Sequence, residues 1–276
     1  MNRKALLGLA LALLLPLAAY LVMKDKSGQV TALPPHYLPD SVIRYTKDGK
    51  DYFDTIWHKI PDFQLTNQLG QQVGWKELEG KVVVANFFFT HCPTICPPMT
   101  LHMKKMRDAI KSASKVGNRE AHFLHFLSFS IDPERDSVAK LKQWADRFQI
   151  NPQNWWLLTG DRQQIYDLSI NHFKLTAIDG AHIDSHFVHT DYFVLIDKNR
   201  QVRGYYHSLN ENMQADTASL SKLARDVIYL SLEKNPNKKS VFAGKLELIL
   251  VVFVLLLLGL VLFFTYLKKE KQKPWL

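Results

Sequence analysis

Two cysteines and a late cluster of histidines are the residues whose types and spacing could do chemistry. Cys92 and Cys96 are the two cysteines of the 276-residue chain, set four positions apart in Phe89-Thr90-His91-Cys92-Pro93-Thr94-Ile95-Cys96-Pro97-Pro98. Three kinds of chemistry fit such a pair. A structural disulfide is the plainest, but closing so short a ring stabilises by only about 2 kcal/mol in the loop-entropy picture. A dithiol/disulfide redox site is the second, although such motifs usually carry two intervening residues rather than three. The third is a soft-metal site, because thiolates at i and i+4 share one helical face and a distant ligand can complete the set. Eleven histidines are available as that ligand. They crowd most in Ala181-His182-Ile183-Asp184-Ser185-His186-Phe187-Val188-His189-Thr190-Asp191.

The elements that must position these residues can be read around them. Val82 to Phe89 is β-branched and aromatic without Pro or Gly, the pattern of a strand buried on both faces. After Cys96, Pro97 and Pro98 fit a first helical turn, followed by Leu101, Met103, Met106, Ala109 and Ile110 at helical spacing. The cysteines therefore fall on the loop and first turn between strand and helix, where unpaired N–H groups and the helix dipole favour thiolate. Met99 and Met103 fit core positions better than soft ligands. His91 could assist thiolate formation or simply be exposed, and Asp132 and Asp136 read as turn and capping residues.

Downstream, His122–Ser130 reads as a second strand and Asp136-Ser137 opens a helix through Phe148. Trp155–Leu158 is a short strand, and Gly160-Asp161 leads into another helix. Phe193–Asp197 and Val202–Tyr206 flank Lys198-Asn199-Arg200 as a hairpin, and residues 213–232 form a last amphipathic helix. Strands alternating with helices, with reactive cysteines after a buried strand, imply an α/β fold: a thioredoxin-like mixed sheet flanked by helices. No phosphate loop is present, which argues against nucleotide chemistry.

The two ends differ from the middle. No charge falls between Lys4 and Lys24, nor between Glu247 and Lys268, and each run is long enough for a helix to cross a bilayer. One N-terminal and one C-terminal transmembrane helix are expected, the first read as a retained anchor because Ala18-Ala19-Tyr20 is a poor cleavage site. Arg3 and Lys4 before the first run, and Lys268, Lys269, Lys271 and Lys273 after the second, put both ends in the cytoplasm and the middle outside. That describes a two-pass protein of a bacterial inner (cytoplasmic) membrane with a periplasmic or outer central domain. The expected boundaries are 1–23 anchor, 24–57 tether, 58–234 thioredoxin-like domain, 235–247 linker, 248–267 second span and 268–276 basic tail. Of the formal charge of +9, the ends take +5 and leave +4 on the middle, with no basic stripe interleaved with aromatics. Nucleic acid is excluded as a partner.

In combination, several segments resemble the Sco/SenC family of membrane-anchored, thioredoxin-like cytochrome c oxidase assembly proteins. They are Gly80–Thr90, the Cys92-Pro93-Thr94-Ile95-Cys96-Pro97 box, Ser130-Ile131-Asp132-Pro133-Glu134-Arg135-Asp136, Trp156-Leu157-Leu158-Thr159-Gly160-Asp161, and His189-Thr190 ahead of Phe193–Asp197. The resemblance runs through residues 60–232. It implies copper, as Cu(I) or Cu(II), held by Cys92, Cys96 and His189, and delivered to the binuclear copper site of cytochrome c oxidase subunit II, with a thiol reductant as a further partner. Many family members have Asp immediately before the ligand histidine, whereas Val188 stands here and Asp191 follows two residues later. His186 is a rival third ligand, and the C-terminal span is an addition to the usual single anchor. The expected activity is that of a metallochaperone rather than a turnover enzyme. The alternative is an extracytoplasmic thiol–disulfide oxidoreductase that uses Cys92 and Cys96 to reduce the acceptor's cysteines.

Overall fold

The computed structural model describes residues 33–113, 122–175 and 190–233, with isolated helical positions at 14, 18, 21, 253, 255 and 259. A seven-stranded sheet is built from β3 (Leu65–Asn67), β4 (Gln72–Val73), β5 (Val82–Phe88), β6 (Leu124–Ser130), β7 (Trp155–Thr159), β8 (Tyr192–Ile196) and β9 (Val202–His207). A separate ribbon pairs β1 (Pro39–Lys47) with β2 (Lys50–Trp57). The sheet order is β4-β3-β7-β6-β5-β8-β9. The β5–β6 and β6–β7 pairs are parallel, while β5–β8 and β8–β9 are antiparallel. This is the mixed sheet that the alternation of elements predicts.

β5 is central because every one of its seven residues is buried. On one face Val82, Val84 and Phe88 join α1 (Cys96–Ala113), α2 (Val138–Phe148) and α4 (Thr217–Leu232) in a core with Trp144, Trp155, Leu223 and Val227. On the other, Val83, Ala85 and Phe87 pack with Phe63, Phe129, Phe173 and Val194. The short helix α3 (Arg162–Asp167) and a π-helical turn, Leu168–His172, contribute Ile165 and Leu168 to that second layer. Period-two alternation thus serves two cores at once, which is why the strand reads as a dense apolar run broken only by Asn86.

Part of the segment read as a tether is structured. Residues 39–57 form the β1–β2 ribbon, whose turn Lys47-Asp48-Gly49-Lys50 holds Asp48 and Gly49 at positive φ. Asp and Gly tolerate that conformation, so a two-residue hairpin turn is built into the sequence. Residues Lys234–Leu276 make up a separate unit, in which the described positions 253, 255 and 259 are helical. The apolar runs expected to span a membrane lie almost wholly outside the described residues. Among the described residues no helix is long and apolar enough to cross one.

Candidate metal centre

The cysteine loop leaves the C-terminal end of β5 and turns directly into α1. His91, Pro93 and Thr94 are exposed, yet Cys92 is 5% and Cys96 0% exposed, so the loop turns its sulfurs inward against Met99 and Met103. Both are present as thiols. The Cys96 N–H donates to Cys92 Sγ at 3.4 Å, and Thr94 Oγ1 lies 3.8 Å from the same sulfur. Cys92 thereby caps a first-turn donor that the helix itself cannot satisfy. At the next turn, Thr100 Oγ1 donates to the Cys96 carbonyl at 2.8 Å.

The two thiols are electrostatically unlike. Burial pushes the Cys92 thiol up, but hydrogen bonds from Cys96 and Thr94 outweigh it and leave its pKa below the ordinary value. Burial pushes Cys96 far above the usual thiol range, and the charges of Cys92 and Asp136 add to the rise. Cys92 is the thiol that ionises, and Cys96 is the one that keeps its proton.

Beneath the loop lies an anchor that the sequence reading assigned to helix capping. The N-cap of α2 is Ser137, whose side chain accepts from the Lys140 N–H. Asp136 is fully buried and does different work. Its carboxylate accepts from the Thr90 N–H at 3.0 Å, the Thr90 hydroxyl at 2.5 Å and the Ser130 hydroxyl at 2.6 Å. One charge thus ties the residue two positions before Cys92 to the end of β6. His91 sits between carboxylates, 3.0 Å from Asp132 and 3.8 Å from Asp136, so it is exposed but not idle. The sequence signal for Asp136 was its place after the second strand; what it lacked was the fold that brings Thr90 beside it. Asp191 is also committed, receiving the Leu209 N–H at 3.1 Å and facing His207 at 3.0 Å.

Cys92 and Cys96 are brought together as expected. His189 and its rival His186 lie outside the described residues. Thr190 is the first described residue before β8 and is 4% exposed. In the β5–β8 register Ala85 faces Val194 and Val83 faces Ile196, so the chain enters β8 at the end of the sheet where β5 delivers the cysteine loop. Among the described residues no group of three or more His, Cys, Asp or Glu could hold a metal.

A mixed sheet with helices on both faces and a thiol pair between its central strand and first long helix defines a thioredoxin-like α/β domain. A sequence model of the SCO1/SenC family matches residues 57–225. The SCO1 protein homolog of Bacillus subtilis (strain 168) is 30% identical over 177 residues, 64% of this chain and 88% of that protein. Among solved structures, a SCO1/SenC family lipoprotein from Bacillus anthracis str. Ames is 32% identical, with a TM-score of 0.51 over 63% of this chain and 95% of the other. BsSco, described with a disulfide switch and as a member of the Sco family of cytochrome c oxidase assembly proteins, is 28% identical, with a TM-score of 0.52 over 66% and 98% of the two chains. The chain belongs to the SCO1/SenC family.

Proposed function

We propose that this protein is a membrane-anchored copper metallochaperone that serves cytochrome c oxidase assembly. It carries one copper ion as cargo and hands it to an acceptor such as the binuclear copper site of subunit II. The observation that carries this reading is the inward-turned thiol pair on a single loop and first turn, in a family that includes BsSco of oxidase assembly. Two thiolates suit a soft ion such as copper(I), and a neutral imidazole is acceptable to either oxidation state. Cys92 and Cys96 are two of the ligands, and His189 is the third. What supports His189 is that its covalent neighbour Thr190 stands at the cysteine end of the sheet.

Because the Cys96 thiol holds its proton, loading it with copper must expel that proton, and affinity falls on acidification. Asp136 holds Thr90 and with it the start of the loop that carries the two sulfurs. Both apolar runs, 5–23 and 248–267, cross the bacterial inner membrane and leave the central domain on its outer side. The reading is tested by anaerobic copper(I) titration of the reduced full chain in detergent. One ion binds tightly, and Cys92→Ala, Cys96→Ala and His189→Ala each lose it. Full affinity in all three variants overturns the proposal, while full affinity in His189→Ala alone passes the third position to His186.

A second reading is favoured by the unlike thiols. A thiolate-prone Cys92 beside a protonated Cys96 is also the arrangement of a dithiol reductant. Cys92 attacks an acceptor disulfide, Cys96 then resolves the mixed disulfide, and two electrons and two protons leave with the acceptor's thiols. A thiol reductant partner would regenerate the pair. Acceptor-disulfide reduction that survives His189→Ala without copper would favour this reading over the chaperone.

A further inference from the structure

The end of the sheet opposite the cysteines is built around a buried arginine. Arg203 is 2% exposed and donates from Nε and Nη2 to the Pro34 carbonyl at 2.9 and 2.7 Å. Its Nη1 reaches Asp197 at 2.9 Å and Glu233 at 2.9 Å. Lys198 donates to the Ser231 and Glu233 carbonyls at 2.8 and 3.1 Å. Pro34 and Glu233 are the two ends of the folded domain, and each leads within some ten to fifteen residues to one of the apolar runs. Both ends of the described domain therefore meet at a single pole.

That pole carries unneutralised positive charge. An open groove of about 290 Å³ beside the β8–β9 turn is lined by Lys59, Lys76, Lys81 and Arg200, and none of these is in an ion pair among the described residues. Of the carboxylates on its wall, Asp197 is held by Arg203, which leaves Asp62 and Glu79 against these four cations. The β1–β2 ribbon is rooted at the same place, through the Tyr37 N–H to the Val202 carbonyl and the Ile60 N–H to the Arg200 carbonyl. It exposes Val42, Ile43, Tyr45, Tyr52, Phe53 and Ile56, with Phe53 69% exposed. Unpaired cations beside exposed aromatic and aliphatic side chains are the two chemistries that a bilayer interface accepts.

We infer that this pole is a docking face for an anionic phospholipid surface: Lys59, Lys76, Lys81 and Arg200 engage headgroup phosphates, and the ribbon lies in the interface. The inference rests on the reading that both apolar runs are embedded in the membrane. Its consequence is a fixed orientation. β5 starts at the docking pole and ends at the cysteine loop, and seven residues at about 3.3 Å each hold the sulfurs roughly 20 Å farther out, facing away from the bilayer.

The test uses the full chain reconstituted in phosphatidylcholine vesicles with and without a minority of phosphatidylglycerol. Lysine acylation by a water-soluble ester, read residue by residue by mass spectrometry, reports access. With phosphatidylglycerol, Lys59, Lys76 and Lys81 label several-fold more slowly, Lys140 and Lys142 on α2 are unchanged, and high salt abolishes the difference. The Lys76→Glu/Arg200→Glu variant restores fast labelling of Lys59 and Lys81. Labelling indifferent to phosphatidylglycerol in protein that resists alkaline extraction overturns the docking face alone. Extraction of the chain at alkaline pH overturns the embedded reading and the docking face with it. Equal protection by soluble glycerol phosphate makes the groove a small-anion site, and protection that tracks protein density makes it a contact between copies; either result overturns the lipid assignment.

Discussion

The two poles of the sheet are each organised around a buried charged side chain, Asp136 at one and Arg203 at the other, and they use it differently. At the cysteine pole, Asp136 is an anion met by hydroxyl and backbone donors, with His91 alongside. At the other, Arg203 is a cation met by a carbonyl and two carboxylates contributed by residues far apart in sequence. Asp136 ties down a loop that remains partly exposed and carries both thiols. Arg203 ties together the places where the domain begins and ends. The comparison teaches that a buried anion met by hydroxyl and amide donors fixes the geometry of one loop, whereas a buried cation that gathers the beginning and the end of the domain fixes the closure of the fold.

Removing Arg203 should have the largest effect. Arg203→Leu strands Asp197 and Glu233 without their partner and should cost about 3–5 kcal/mol of stability, the range for breaking a buried pair. Chemical denaturation measures it, and unchanged alkylation kinetics of Cys92 in the folded variant would show that the two poles are independent. Asp136→Asn keeps the shape but removes the charge that three donors address, at a cost of about 2–3 kcal/mol. Because that charge raises the Cys96 pKa, the variant should also titrate Cys96 at lower pH, read from thiolate absorbance in the ultraviolet. If stability falls while the thiol does not move, the anchor is structural only.

On β6, beside Val83 near the arginine pole, His125 supplies a control with a worked sign. Its ring is 1% exposed, sits 4.2 Å from the Trp156 ring, and is pushed by burial, with help from Lys81, to a pKa of about 3. The unfolded chain takes up a proton near pH 6.5 and the folded chain does not. The contribution is therefore complete above about pH 6.5 and is lost as pH falls toward 3. Acidification from pH 7 to pH 5 should remove about 2 kcal/mol through this group, and His125→Phe should flatten that part of the stability curve. A last effect is a difference in rate that touches no fold stability. Cys92 should be alkylated much faster than Cys96 at neutral pH, and equal rates would erase the asymmetry between the thiols.

Much of this was legible along the chain. The dense apolar run of Val82–Phe89 marked a strand buried on both sides, and Pro97-Pro98 marked the first turn of α1, so the address of the thiols followed directly. The Lys198-Asn199-Arg200 turn likewise marked the β8–β9 hairpin. The β1–β2 ribbon was harder to see. Its apolar residues face solvent rather than a core, so composition alone resembles a spacer. Asp136 was misread for a related reason: helix capping is a local signal, while its partners Thr90 and Ser130 lie on two other segments.

By itself, the sequence determined where the two cysteines fall and which local elements bear them, because propensity, periodicity and motif spacing act within a few residues. Only the tertiary structure decided that Cys92 and Cys96 differ in acidity, since burial and donated hydrogen bonds are set by what packs around a loop. The long-range partners of Asp136 and Arg203 were decided there as well, for charges can meet across the molecule only after the sheet has ordered its strands.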